Sequence, residues 1–193
     1  DYTKFMTTDW AKQCTKVLID EQCSFSNDKT EYQEFTALGI HTREYGEVSW
    51  VDMDLNNKHY YELLNELAVE AKGVLLSSNF KSKYNFEVGD SLVFRNKRNL
   101  ASSVKIVGFF DYWPGYDKDT MALNPDGTVN NTENFLAISH FELLRKDWGV
   151  TPYEVWASLK PEKSGVDVAQ WIQDNDLSMK KYTCKADEME STV

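Results

Sequence analysis

The sequence predicts an α+β fold made mostly of short strands. Three observations carry this. Short runs rich in β-branched and aromatic residues recur between polar turns, one segment has clear helical periodicity, and the last third alternates strand, helix and strand.

Taken in order, "TKVLIDEQCSFS" (Thr15–Ser26) reads as a strand, and "YQEFTALGIH" (Tyr32–His41) as its hairpin partner across the polar turn "NDKT". After "REYGEVSWVDMDLNN" comes the clearest helix. Tyr60, Leu63, Leu64, Leu67, Ala68 and Ala71 share one face, with Glu62, Asn65, Glu66 and Glu70 on others. Asn56 or Asn57 is its expected N-cap and Gly73 its expected stop. A short apolar strand "GVLLSS" and a turn of helix "NFKSKY" follow. "FEVGDSLVF" (Phe86–Phe94) turns at Gly89-Asp90, and its strand pairs across the polar loop "RNKRN" with "SSVKIVGFFDY". The segment from Trp113 to Glu133 reads as one long loop with Pro114, Gly115, Pro125 and Gly127.

In the last third, "NFLAIS" is a strand, "HFELLRKDWG" a short helix ending at Gly149, and "PYEVWASLK" (Pro152–Lys160) a strand. "SGVDVAQWIQDND" is a helix that groups Val168, Trp171 and Ile172; "LSMKKYTCK" is a final strand, and "ADEMESTV" starts a last helix. Strand, helix and strand here form a β-α-β unit. There is no internal repeat and no low-complexity tract.

The order of these pieces resembles the extracytoplasmic domain of FtsX-like, MacB-type ABC transporter permeases. The resemblance rests on "GVLLSSNFKSKYNFEVGDSLVF", "VKIVGFFDYWPG", "NFLAISHFELL" and "PYEVWASLKP" with the following "DVAQWI", over roughly residues 35–185. Its specificity lies in the order and spacing of weak motifs. It implies a porter-like β-α-β lobe built from both chain ends, 1–45 and 152–193, with a small β-rich lobe, 46–151, inserted between them. It also implies that the domain is non-catalytic, needs no cofactor, and relays ATP-driven movement of membrane helices to a substrate or partner outside. The implied partner inside is a cytoplasmic ATP-binding subunit, reached through the membrane part of the full protein. A homodimer is expected in the full transporter, at the extracytoplasmic face of the plasma membrane. The chain ends are then expected to lie close together, and the start at Asp1 rather than Met reads as a piece of a longer or processed protein. The alternative is an extracellular binding or sensing module for a peptide, lipoprotein or cell-wall partner.

Composition narrows the classes. At 193 residues the chain suits one large domain or two small ones, and 41% hydrophobic with 13% aromatic residues is a folded composition. A net charge of -10, with no basic stripe, argues against a nucleic-acid partner. An acidic face attracts cationic peptides, although acidity more often serves solubility. No apolar run reaches the roughly 20 residues of a membrane helix. Cys14, Cys23 and Cys184 are too few and scattered for a disulfide framework, so each reads as a buried or free thiol.

Catalytic and metal chemistry finds little support. His41 and Glu44 in "HTRE" lack a second ligand cluster and read as a solvated turn. His59 and His140 sit at helix starts without a recognisable nucleophile. Asp117, Asp119 and Asp126 lack the spacing of a calcium loop. Asn130-Asn131-Thr132 fits the glycosylation rule but is read as carrying no signal. There is no G-x-S-x-G elbow and no phosphate loop, and no carboxylate pair stands in an apolar context. Trp50, Trp156 and Trp171 read as core. The partner-binding candidates are Tyr112, Trp113 and Tyr116 in "KIVGFFDYWPGYD", loop aromatics held by Pro114-Gly115. The competing reading is a structural corner, decided by whether Trp113 is buried.

Overall fold

The computed structural model describes residues 2–27, 30–49, 56, 58–123, 126–177 and 182–184. By contacts the chain divides into two compact units. One joins Asp1–Cys14 to Ala157–Val193, and the other is Thr15–Trp156. The boundaries fall at 14/15 and 156/157, where the sequence reading set them at 45/46 and 151/152. The physical reason is visible in the strand pairing: residues 30–40 form a strand inside the sheet of the larger unit.

In the larger unit, β1 (Ala11–Asn27) and β2 (Thr30–Ile40) form the expected hairpin. α2 (Thr42–Val48) follows, which the sequence reading left unassigned. α3 (Tyr60–Val69) buries Tyr60, Leu63, Leu64 and Leu67, the periodic face. Its N-cap is His59, whose Nδ1 accepts from Tyr61 N at 3.4 Å, and not Asn56, which is used elsewhere. Asn57, the other expected cap, lies outside the described residues.

β3 (Gly73–Ser77), α4 (Ser78–Tyr84), β4 (Ser91–Arg95) and β5 (Ala101–Phe110) come next as expected. The segment read as one long loop instead contains a two-stranded hairpin, β6 (Asp119–Leu123) with β7 (Val129–Glu133). β8 (Leu136–His140), α5 (Phe141–Trp148) and β9 (Tyr153–Leu159) complete the unit, and β9 runs on into the smaller one.

Six strands close on themselves in the order β1-β2-β8-β3-β5-β4, because the long β1 pairs with both β2 and β4. Closure removes free sheet edges. β2 runs parallel to β8 and β3 parallel to β5, while β1–β2, β1–β4, β3–β8 and β4–β5 are antiparallel. Successive side chains on a strand point to opposite faces, so each buried strand feeds two cores. Ala37, Val74 and Leu76 join Phe25, Phe35, Phe80, Phe94 and Ile106 in one core. Leu38, Leu75 and Ile138 join Tyr45, Tyr60, Leu63 and Leu67 in the other, beneath α2 and α3. This double duty makes β3 buried along its whole length, an apolar run with no alternation.

A bulge decides what β5 delivers. Val74 pairs with Ile106 but Leu75 with Gly108, so the strand gains a residue at Val107. Ile106 lies in the first core, yet Phe110, of the same parity, lies in the second. Gly108 fits closely there: a Cβ would stand 2.9 Å from Glu66 Oε2 and 3.0 Å from Leu75 Cδ2, so those side chains would have to shift.

In the smaller unit, α1 (Thr3–Met6) and α6 (Gly165–Asp174) accompany the outer ends of β1 and β9. Trp171 packs against Phe5 at 5.1 Å and edge-on to Trp10 at 5.5 Å. Ser164 and Asp167 form a reciprocal capping box at the start of α6. Asp9 is held by Lys163 at 2.9 Å, and its backbone oxygen accepts from Lys160 Nζ at 2.7 Å. The expected final strand is not seen in Leu177 or in Tyr182–Cys184, which have no regular structure; its residues 178–181 and 185, the expected last helix and both chain ends lie outside the described residues.

Candidate functional site

The bulge in β5 turns Phe110 toward α2 and α3, and the chain leaves the sheet just beyond. Pro114 and Gly115 make the turn, with Gly115 at φ 76 and Tyr116 N bonded to Trp113 O at 3.0 Å. A positive φ after proline is the requirement that Gly meets there without a Cβ penalty. The preceding step is clamped by Asn56. Its Oδ1 accepts from Asp111 N at 2.9 Å and Tyr112 N at 2.8 Å, and its Nδ2 donates to Tyr112 O at 3.1 Å.

Trp113 is 0% exposed. It stacks on Tyr45 of α2 at 5.9 Å and lies 5.3 Å from Tyr60 of α3 and 5.1 Å from Phe110. Its Nε1 donates to Tyr45 Oη at 3.1 Å, which satisfies the one polar atom of a buried indole. Ser49 Oγ ties the same cluster together, lying 2.7 Å from both Tyr60 Oη and Tyr45 O. Burial pushes the Tyr45 and Tyr60 phenols well above the usual tyrosine range. The indole therefore offers no surface to a partner, and this corrects its reading as a contact residue: Trp113 is the pin of a corner. Tyr112 is half-buried against the same core.

Tyr116 has a different task. Half-buried, with its phenol raised by burial, it donates to Asn134 O at 2.8 Å. The same carbonyl accepts from the buried Asn79 Nδ2 at 2.7 Å. Asn79 accepts from Ser77 Oγ at 2.6 Å, and Ser77 Oγ accepts from Leu136 N at 3.1 Å. Asn134 in turn grips the base of the β6–β7 hairpin. Its N bonds Lys118 O at 2.7 Å, and its Nδ2 donates to Asp117 O at 2.9 Å and Thr120 Oγ1 at 2.5 Å. The corner thus launches the chain into a hairpin whose base is fixed to the body.

That hairpin is exposed along both strands. Register places Met121 opposite Asn131 and Leu123 opposite Val129, with Thr120 opposite Thr132 and Ala122 opposite Asn130. Directly opposed residues share a face, so Met121, Leu123 and Val129 stand together on one side. They are 75%, 76% and 60% exposed. The sequence reading missed this surface because it saw no strands there; Met121 and Leu123 flanking Ala122, two apart in "DTMAL", were the available signal.

The remaining candidates do not converge. His41 Nε2 is 4.0 Å from Glu142 Oε1, whereas Glu44 accepts from Thr15 Oγ1 at 3.2 Å. His140 Nε2–H donates to Glu70 O at 2.9 Å. Asp126 accepts from Thr128 Oγ1 at 2.6 Å and Thr128 N at 2.9 Å, which holds its carboxyl below the usual range. Among the described residues no group of three or more His, Cys, Asp or Glu side chains gathers in metal-holding geometry. The three cysteines are free, Cys14 and Cys23 buried. Trp156 lies 5.5 Å from Tyr45, at the edge of the second core; Trp50 lies outside the described residues. An open groove of about 590 Å³ between α3 and the Gly89 turn is lined by Glu66, Val69, Glu70, Val88, Lys105 and Val107. Its charges pair off, Lys58 with Glu66 and Lys105 with Glu70.

No family model and no curated protein matches the sequence. Among solved structures, one shares its fold. The extracellular domain of the noncanonic ABC-type transporter YknZ from Gram-positive bacteria matches at 14% identity and a TM-score of 0.52, over 90% of this chain and 81% of that one. The periplasmic region of MacB from Actinobacillus actinomycetemcomitans matches at 6% identity and a TM-score of 0.49, over 90% of this chain and 69% of that one. The chain has the mixed α+β fold of the YknZ extracellular domain, the fold that the order of its sequence motifs led one to expect.

Proposed function

We propose that the chain is the extracytoplasmic domain of an ABC-type transporter permease, non-catalytic in itself. It relays movement of the membrane helices, driven by a cytoplasmic ATP-binding subunit, to a substrate or partner outside. The observation that carries this is the fold shared with the YknZ extracellular domain across nearly the whole chain. The unit division supports it: both terminal segments belong to one compact unit, a suitable body to receive motion from two membrane connections. The larger unit, a closed barrel with two cores, suits a rigid lever better than a flexible linker.

The test uses the full-length protein with its ATPase in lipid nanodiscs. Apolar spans of about 20 residues are expected on the flanks of this domain. Spin labels on exposed positions of the domain are expected to change their mutual distances between nucleotide-free and ATP-bound states. Spans without any ATP-dependent change would overturn the relay; absence of the spans would overturn the permease reading itself.

A second reading, a binding module for an extracellular peptide, lipoprotein or cell-wall partner, is favoured by the exposed apolar face of the β6–β7 hairpin. The two readings are compatible, since a relay needs something to move.

A further inference from the structure

We infer that the β6–β7 hairpin is a docking platform for an extended, positively charged peptide segment with alternating apolar side chains. This rests on the binding reading above and not on the transport role.

The apolar side of the ribbon is the first support. Met121, Leu123 and Val129 share one face at its outer half, all largely in water. Contiguous exposed apolar side chains on a short ribbon are costly for solubility and favour aggregation unless something covers them. They contribute nothing to either core, so stability does not explain them.

The ribbon is also held in place. Asn134, Tyr116, Asn79 and Ser77 bond its base to the body through a chain of hydrogen bonds between 2.5 and 3.1 Å. Both faces are held at the base: Thr120, on the opposite face, accepts from Asn134 Nδ2, and Glu133, on the triad's face, accepts from Asn79 Nδ2 at 3.3 Å, so only the outer half with the triad stands free of the body. A face fixed in orientation before binding spends less ordering entropy on association.

Charge then selects the occupant. Residues 117–133 carry Asp117, Asp119, Asp126 and Glu133 against Lys118 alone, with Lys83 as the ion-pair partner of Glu133 at 3.8 Å. Asp119 and Glu133 oppose each other on the same side as the apolar triad. A second copy of this chain would bring like charges together, and an anionic lipid surface would be repelled. A segment alternating Lys or Arg with Val or Leu matches both features: apolar side chains against the triad, cations toward the carboxylates around it. Both strand edges of the ribbon are unpaired by any other strand among the described residues, which leaves room for an extended backbone alongside.

The experiment titrates the whole 193-residue chain with three synthetic peptides, by isothermal calorimetry and by amide chemical shifts. One alternates Lys and Val, one alternates Lys and Ser, and one alternates Glu and Val. The variant is Met121→Ser/Leu123→Ser/Val129→Thr, whose positions are exposed and whose melting temperature is expected to match the parent. The Lys-Val peptide is expected to bind best, to weaken with added salt, and to shift amides at 119–133. The variant is expected to weaken it by about tenfold or more. Equal binding of the Lys-Ser peptide, or Lys-Val binding that the variant leaves intact, would overturn the hairpin as the site while sparing the binding reading. A chain that binds none of the three would overturn both. Concentration-dependent dimerisation, or binding to anionic vesicles, that the variant abolishes would replace the peptide with a second copy or a membrane.

Discussion

The corner reading of Trp113 makes a quantitative demand. Trp113→Ala removes an indole that is 0% exposed and packed at 5.1–5.9 Å from Phe110, Tyr60 and Tyr45. Truncation of a buried aromatic costs about 3–5 kcal/mol through lost transfer energy and the cavity left behind. It also strands the Tyr45 hydroxyl, which loses its donor at 3.1 Å, at about 1 kcal/mol more. The expected total is about 4–6 kcal/mol, a large share of the stability of an ordinary domain. For a chain of this length that corresponds to a fall in Tm of roughly 10–20 °C. Trp113→Phe keeps one ring against Tyr45 and Tyr60 and is expected to cost about 2 kcal/mol, split between lost volume and the lost hydrogen bond. The assay is urea unfolding followed by far-UV circular dichroism, read as a shift in midpoint at unchanged slope. Were Trp113→Ala to fall within about 0.5 kcal/mol of the parent, as surface substitutions do, the corner would not depend on the indole and the burial argument would be refuted.

Gly108→Ala is expected to destabilise by about 1–3 kcal/mol through overpacking against Glu66 and Leu75, with partial rescue by Glu66→Ala in a thermal-melt double-mutant cycle. Asn56→Ala removes three hydrogen bonds to the Asp111–Tyr112 step and is expected to cost about 1–3 kcal/mol, checked by chemical denaturation. Burial raises the Cys14 thiol from 9.0 to about 11. The unfolded chain therefore ionises first, so stability present below pH 9 is lost as pH climbs toward 11; Cys14→Ala is expected to flatten the Tm-versus-pH slope over that window.

Much of the fold could be read from the chain because local signals agreed with it. α3 shows its buried face in the spacing of Tyr60, Leu63, Leu64 and Leu67, and β4 and β5 alternate buried and exposed residues on either side of a polar turn. What escaped depends on distant partners. α2 carries Gly46 at its centre and only Tyr45 and Gly46 buried, too little periodicity to mark a helix. The bulge at Val107 is invisible in β5 itself, because its cause is the register with β3 and the approach of Glu66 from α3. The aromatic corner was recognised as special, but its direction was set by Tyr45 and Tyr60, more than fifty residues upstream. β6 and β7 bury nothing, and Met121 with Leu123 in β6 is too short an alternation to announce two strands.

The hairpin that went unseen is also the piece the fold least needs. Lys118 O and Asn134 N, at its two ends, are already bonded at 2.7 Å. A chain joined directly from Lys118 to Asn134 would keep Trp113, Tyr116 and both cores, since no residue of β6 or β7 belongs to either. An element that stability does not require still costs backbone entropy to order, about 1–2 kcal/mol per residue, and here it is ordered with its apolar side outward. Its base is nevertheless fixed by a buried asparagine and a half-buried tyrosine, groups that are themselves costly to bury without partners. Structural economy accounts for the corner, where every polar atom of the Trp113 cluster is spent on the fold. It does not account for the ribbon, whose geometry makes sense as a surface held out for something else to meet. Tyr116, read from the sequence as a contact residue, sits one step back from that surface: its hydroxyl bonds the Asn134 carbonyl at the base of the ribbon.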